Sequence, residues 1–164
     1  MSKPIVSEKL IVVHGGGLDG SAEQVITLLC QRLQAEGYTE AGYLEAVLER
    51  EKRFPTALPT LPYATAIPHA DPLHVRETGV AVAILDHAVP FCAMDSPDQS
   101  LPVRAVLLLA VADSSKQTAT LRWVCEMLGR QEAVEQLVSA DSPAAAMAVL
   151  QPLLGSKSMK HKER

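Results

Sequence analysis

At 164 residues the chain suits one hydrophobic core, and two independent cores would be cramped. Hydrophobic residues make up 48% and charged residues 21%, which excludes global disorder. A net charge of -4 and an aromatic content of 4% argue against nucleic acid as a partner, because both bulk positive charge and stacking rings are missing.

Residues 9–13 are a short β-branched run that reads as a strand, followed by a glycine-rich turn over 14–20. Ser21 and Gln24 form a capping box ahead of Val25, Ile26, Leu28, Leu29 and Leu33, whose spacing predicts a helix stopped near Gly37. A second helix is expected over 40–51, with Leu44, Val47 and Leu48 inward. Pro55, Pro59 and Pro62 exclude a helix interior over 54–62 and favour an extended loop. Residues 64–67 form a small strand-like segment running into Pro68 and His69, and 78–86 read as a strand rich in Val and Ile. The nearly continuous apolar run over 103–112 suits a strand buried on both faces of a sheet. A helix with Leu121, Val124, Cys125 and Leu128 on one face follows residues 113–115, and another covers 132–139. Ser142 and Pro143 supply the N-cap and first position of a last helix ending near 154. Residues 155–164, GSKSMKHKER, read as a flexible basic tail, so a single domain over 1–154 is expected. The element order predicts an α/β (α+β) sandwich with helices on a central sheet.

No apolar run reaches the roughly 18 residues a membrane-spanning helix needs, and the N-terminus lacks the pattern of a secretory signal. The expectation is a cytoplasmic protein without membrane insertion. Cys30, Cys92 and Cys125 include no CxxC pair; Cys30 and Cys125, among apolar helical neighbours, read as small core residues.

Imidazole titrates near neutrality, so the five histidines are weighed by position. His161 lies in the tail without a partner, and His87 reads as a solvated turn residue between Asp86 and Ala88. His69 stands at the carboxyl end of a strand-like segment, its backbone restricted by Pro68 and flanked by the small Ala66 and Ala70. Such strand-end loops are where α/β sheets bind and react. On these residues alone a reactive histidine and an ordinary loop histidine both stay open. His14 opens an HGGG run like a lipase oxyanion hole, yet the chain has neither a G-x-S-x-G elbow nor a Walker loop, so the glycines read as a strand-to-helix turn. His69 and His74 stand five apart with Pro72 between them and no HExxH or Cys/His cluster, so no metal site is expected.

The run from Arg50-Glu51 to Pro55-Thr56, then Thr65-Ala66-Ile67-Pro68-His69-Ala70, the strand over 78–86, and Val89-Pro90-Phe91 together form a pattern. It resembles the fructose/mannitol-type enzyme IIA family of the bacterial sugar phosphotransferase system, over residues 21–150. The galactitol-type branch is the nearer likeness, with its long loop between the Pro-Thr pair and Ile-Pro-His, a second histidine five residues on, and a recurring V-P-F.

The resemblance implies a mixed β-sheet flanked by helices. It also implies that His69 accepts a phosphoryl group from the phosphocarrier protein HPr and passes it to a cysteine of a cognate enzyme IIB, which phosphorylates the sugar as the membrane component IIC imports it. By the same resemblance Arg50 faces the phosphoryl group, Thr56 helps shape the site, and no metal or organic cofactor is required. The chemistry agrees: a neutral imidazole is a nucleophile, phosphoryl transfer is mostly positioning and charge stabilisation, and guanidinium presents paired donors to phosphate oxygens. Without the resemblance, Arg50 reads as a helix-end cation pairing with Glu49 or Glu51. Mannitol-type and nitrogen-regulatory members carry a second histidine early in the helix after the long apolar strand. Here that position is Gln117, as in galactitol-type members, and an amide can donate a hydrogen bond but not carry a proton. His74 is the candidate for support in its place.

Two functions fit. One is a phosphoryl carrier for uptake of a polyol or related, galactitol-like sugar; the other is a regulatory IIA-like module whose phosphorylation state controls a partner. Gln117 and the long loop favour transport. Transient docking is expected on an apolar rim of Pro68, Ala70, Pro72, Leu73, Val89 and Phe91.

Overall fold

The computed structural model of the chain describes residues 3–13 and 20–153. Its strands are β1 (Ile11–Val13), β2 (Ala57–Leu58), β3 (Ala64–Ala66), β4 (Gly79–Cys92) and β5 (Ser100–Ala110). Its helices are α1 (Ala22–Ala35), α2 (Tyr43–Arg53), α3 (Ser114–Leu128), α4 (Gln131–Val138) and α5 (Pro143–Leu153). The strands form one mixed sheet in the order β1-β4-β5-β3-β2. The β1/β4 and β3/β5 pairs are parallel; β4/β5 and β2/β3 are antiparallel.

Side chains alternate across a strand, and both faces of the two central strands are apolar. Ala81, Ala83 and Leu85 of β4, with Val106, Leu108 and Ala110 of β5, share a core with α1 and α2. Val80, Val82 and Ile84, with Ala105, Leu107 and Leu109, share the opposite core with α3, α4 and α5. A sheet covered on both sides is therefore what the nearly continuous apolar run over 103–112 encodes.

Local signals place the helix ends. The Ser21 hydroxyl oxygen accepts the Gln24 N–H at 3.1 Å, and Gly37 takes a φ of +83° that lets the chain leave α1. Ser142 Oγ accepts the Ala145 N–H at 3.1 Å at the start of α5. At the N-terminus Glu8–Leu10 form a 3-10 turn, so the first strand is shorter than the sequence suggests. The expected proline-rich loop contains β2, paired with β3.

The largest departure is in β4, which does not stop at Asp86 but runs on to Cys92. Ile84 pairs with Ala105 and Val89 with Val103, so residues 85–88 stand opposite Arg104 alone as a wide bulge. Arg104 holds this bulge by donating its Nε–H to Leu85 O at 2.9 Å while its guanidinium stacks 5.1 Å from the Tyr63 ring centre. His87 is thus an exposed residue of a bulge inside a strand. Val89 and Phe91 beyond it are 3% and 1% exposed. Cys30 is buried as expected, whereas Cys125 is exposed, because the inward face of α3 is Trp123, Val124, Met127 and Leu128. Among the described residues no helix is long and apolar enough to cross a membrane. The glycine run with His14, His161 and the 155–164 tail lie outside the described residues.

Candidate functional site

His69 lies where β3 and β5, running parallel, both end. Pro68 O accepts the Leu109 N–H at 2.9 Å, and His69 is bridged to Leu109 of β5. The side chain is half-buried, and its Nδ1 lies 2.8 Å from Ile67 O. A carbonyl only accepts, so Nδ1 carries the proton and donates it, and the lone pair of Nε2 is left for chemistry. Burial pushes the imidazole below its ordinary value of 6.5, and the nearby Arg50 charge adds to that; the Ile67 bond and Asp71 pull the other way. The outcome is a ring that is neutral, hence nucleophilic, at neutral pH.

Arg50, in the last turn of α2, bears on this ring through its charge. Its guanidinium stacks on Phe54, 5.0 Å from the ring centre, and Nη1 lies 3.8 Å from Asp71 Oδ1. Asp71 is well exposed, so that contact is loose and leaves most of the cation's field available. The Nε–H of Arg50 is buried and has no acceptor among the described residues. Neither neighbouring glutamate takes it: Glu49 pairs with Arg53 at 3.2 Å, and both oxygens of Glu51 turn to Thr56.

Thr56 is buried and donates twice to Glu51, its N–H to Oε2 at 3.0 Å and its Oγ1–H to Oε1 at 2.9 Å. Its carbonyl accepts the Ile67 N–H at 3.3 Å. Burial lifts the Glu51 carboxyl to about 7 against the opposing pull of the two Thr56 bonds.

The comparison with protein families matches residues 9–152 to EIIA 2 of the phosphoenolpyruvate-dependent sugar phosphotransferase system. The chain belongs to this family. As an EIIA 2 member it is a phosphotransferase component, a carrier of phosphoryl groups. The galactitol-specific EIIA component of Escherichia coli is 27% identical over 116 residues, 71% of this chain and 77% of that one. The crystal structure of IIA mannitol from Escherichia coli has a TM-score of 0.70 at 24% identity, covering 88% of this chain and 97% of that one. The complex of enzyme IIA and phosphorylated enzyme IIB for mannitol, from the same organism, reaches 0.72 at 24% identity, covering 93% and 99%. These two likenesses show the fold.

Within this EIIA fold the remaining expected residues fall at different distances from the chemistry. His74 ends a 3-10 turn, its carbonyl accepts the Glu40 N–H at 2.8 Å, and its ring covers Gly42 at the start of α2. A Cβ on Gly42, which has a φ of +105°, would stand 3.1 Å from that ring, so His74 packs against the helix start. The charges that bear on His69 are those of Arg50 and Asp71. Gln117 lies half-buried in the first turn of α3, which begins four residues after β5 ends, the strand end that carries the bridge to His69.

The expected apolar rim is corrected. Val89 and Phe91 pair with Val103 and Leu101 near the start of β5, away from the Leu109 end, and are sealed in the core. Pro68 and Ala70 are also buried. The large apolar side chains exposed beside the site are Leu73, at 82%, and Phe54, at 59%.

Two residues escaped the sequence reading. Tyr43 is buried, donates its hydroxyl to Leu109 O at 2.7 Å and accepts the Ala70 N–H at 3.3 Å. It thereby ties α2, β5 and the residue after His69 together. Its spacing of seven from Arg50, about two helical turns, puts both on one face of α2 and was the available signal. Glu51 was named in the Arg50-Glu51 to Pro55-Thr56 run and as a partner for Arg50 but given no role of its own; its partner, Thr56, lies beyond the end of the helix. Among the described residues no group of three His, Cys, Asp or Glu is placed to hold a metal ion.

Proposed function

We propose that the chain carries the phosphoryl group on His69 Nε2, taking it from phospho-HPr and delivering it to a cysteine of a cognate enzyme IIB. The supporting observation is the pairing of a neutral imidazole, fixed through Nδ1–H to Ile67 O, with the electrostatically coupled and incompletely satisfied guanidinium of Arg50. Nε2 attacks the phosphorus, the new N–P bond forms, and the donor's N–P bond breaks with its electron pair returning to the donor nitrogen. Nδ1 keeps its proton throughout, so the phosphorylated ring is cationic and the Ile67 carbonyl dipole faces that charge. In the second step the enzyme IIB thiolate forms the S–P bond as the His69 N–P bond breaks.

Arg50 serves the phosphoryl oxygens. Its guanidinium presents planar, paired N–H donors that suit phosphate oxygens as charge-assisted hydrogen bonds. Thr56 supports the site from beneath, Gln117 supplies an amide donor from α3, and His74 buttresses the start of α2. Leu73 and Phe54 supply the apolar contact for partners that must also leave. The galactitol-specific relative supports a polyol or related sugar as the cargo of the downstream IIC component. On this reading the chain acts in the cytoplasm as one domain over 1–154.

Incubation with enzyme I, HPr and phosphoenolpyruvate, followed by intact-mass measurement, tests the reading. The expected result is one acid-labile, base-stable phosphoryl adduct that disappears in His69→Ala. Labelling of His69→Ala at the wild-type rate would overturn the assignment.

A further inference from the structure

Three hydrogen-bonded steps connect an acidic side chain on α2 to the His69 imidazole. Glu51 takes both donors of Thr56, Thr56 O takes the Ile67 N–H, and Ile67 O takes the Nδ1–H of His69. Glu51 is also the covalent neighbour of Arg50. The same side chain therefore touches both halves of the site. Along the backbone it fixes the helical turn bearing the guanidinium; through Thr56 it fixes the strand exit bearing the imidazole.

We propose that Glu51 is a positioning residue for phosphoryl transfer: its carboxylate, gripping Thr56 through both oxygens, sets Arg50 and His69 in register and keeps the Nδ1–H tautomer of His69. The proposal rests on the His69 carrier reading above. Without the Glu51 grip, the six-residue stretch 51–56 loses the clasp that bends it back around the end of α2. Thr56 O then no longer has a fixed place beneath Ile67. The Ile67 carbonyl wanders, Nδ1 loses its acceptor, and the ring equilibrates toward the Nε2–H form, which blocks the nucleophilic nitrogen with a proton. Tyr43 cannot compensate, because it secures Ala70 on the other side of His69 and makes no bond to Ile67 or Thr56.

The experiment combines two readouts on the full chain. Phosphoryl acceptance from phospho-HPr is timed by intact mass, and the His69 ring nitrogens are followed by 15N NMR in the unphosphorylated protein. Glu51→Ala is expected to slow acceptance about 10- to 100-fold and to shift the His69 nitrogens toward the Nε2–H pattern. Glu51→Gln, which retains an oxygen for the Thr56 N–H, is expected to recover much of both. If Glu51→Ala fails to fold, Thr56→Val, which keeps the N–H and loses the hydroxyl donor, carries the test with a smaller change in the same sense. A folded Glu51→Ala with the wild-type rate, or with a lowered rate but an unchanged nitrogen pattern, overturns the proposal. His69→Ala in the same assay separates the two failures: label persisting there overturns the carrier reading. Label lost there, with Glu51→Ala unaffected, overturns only the role of Glu51.

Discussion

Replacing Glu51 by glutamine keeps the shape of the side chain and removes its titration from the folded protein. The buried carboxyl is lifted from 4.5 to about 7, with burial outweighing the two bonds from Thr56. A group whose folded value is raised contributes stability that is fully present below its unfolded value and lost as the pH rises through its folded value. The Glu51 contribution is therefore complete below pH 4.5 and gone above pH 7. At about 1.4 kcal/mol per pH unit, the loss across that window is about 3 kcal/mol. His69 acts oppositely: its depressed value makes its contribution complete above 6.5 and lost as the pH falls below that. Wild type and Glu51→Gln share the His69 titration, so comparing the two isolates Glu51. Urea unfolding at half-unit steps from pH 4.5 to 8 is expected to show the glutamine variant gaining about 3 kcal/mol on the wild type across the series. A constant difference between the two curves would mean that the Thr56 bonds balance burial, a wild type that gains on the variant would mean that they outweigh it, and either result would refute the reasoning.

Two further outcomes follow from the same geometry. Arg50→Ala removes a positive charge that depresses the His69 imidazole, so the His69 titration followed by NMR is expected to move to higher pH; an unmoved or lowered midpoint would separate Arg50 from the site. Tyr43→Phe takes one hydroxyl from both Leu109 O and the Ala70 N–H in a buried position, with an expected cost of about 1–3 kcal/mol in urea unfolding, and a loss below about 0.5 kcal/mol would show that neither bond holds the His69 segment.

By the resemblance Arg50 faces the phosphoryl group on His69 and Thr56 helps shape the site; in the fold Arg50 bears on the ring through its charge and Thr56 through Ile67, links that no local pattern contains. Glu51 shows why the remainder was illegible. Next to an arginine, in a run of five charged residues, it looks like solvated helix surface. Only the return of the chain around the end of α2 turns its carboxylate inward onto Thr56. Tyr43 is a similar case, because its two partners lie 66 and 27 positions away. Val89 and Phe91 were misjudged for a related reason. A polar Asp86-His87-Ala88 followed by proline reads as a turn, whereas a bulge opposite Arg104 lets the strand continue and sends both side chains into the core.

What the amino-acid order settled by itself is local in its physics: the Ser21 and Ser142 caps, the glycine exit from α1, the two-sided apolar strand over 103–112, and a histidine held at a strand end by its proline. Each is a pattern written in residues a few positions apart. The tertiary structure alone decided which side chains became half-buried, which carbonyl met the His69 ring, and whether a carboxylate faced water or Thr56. Those outcomes depend on desolvation and on partners brought from distant parts of the chain, and neither exists until the sheet and its two helical layers have closed.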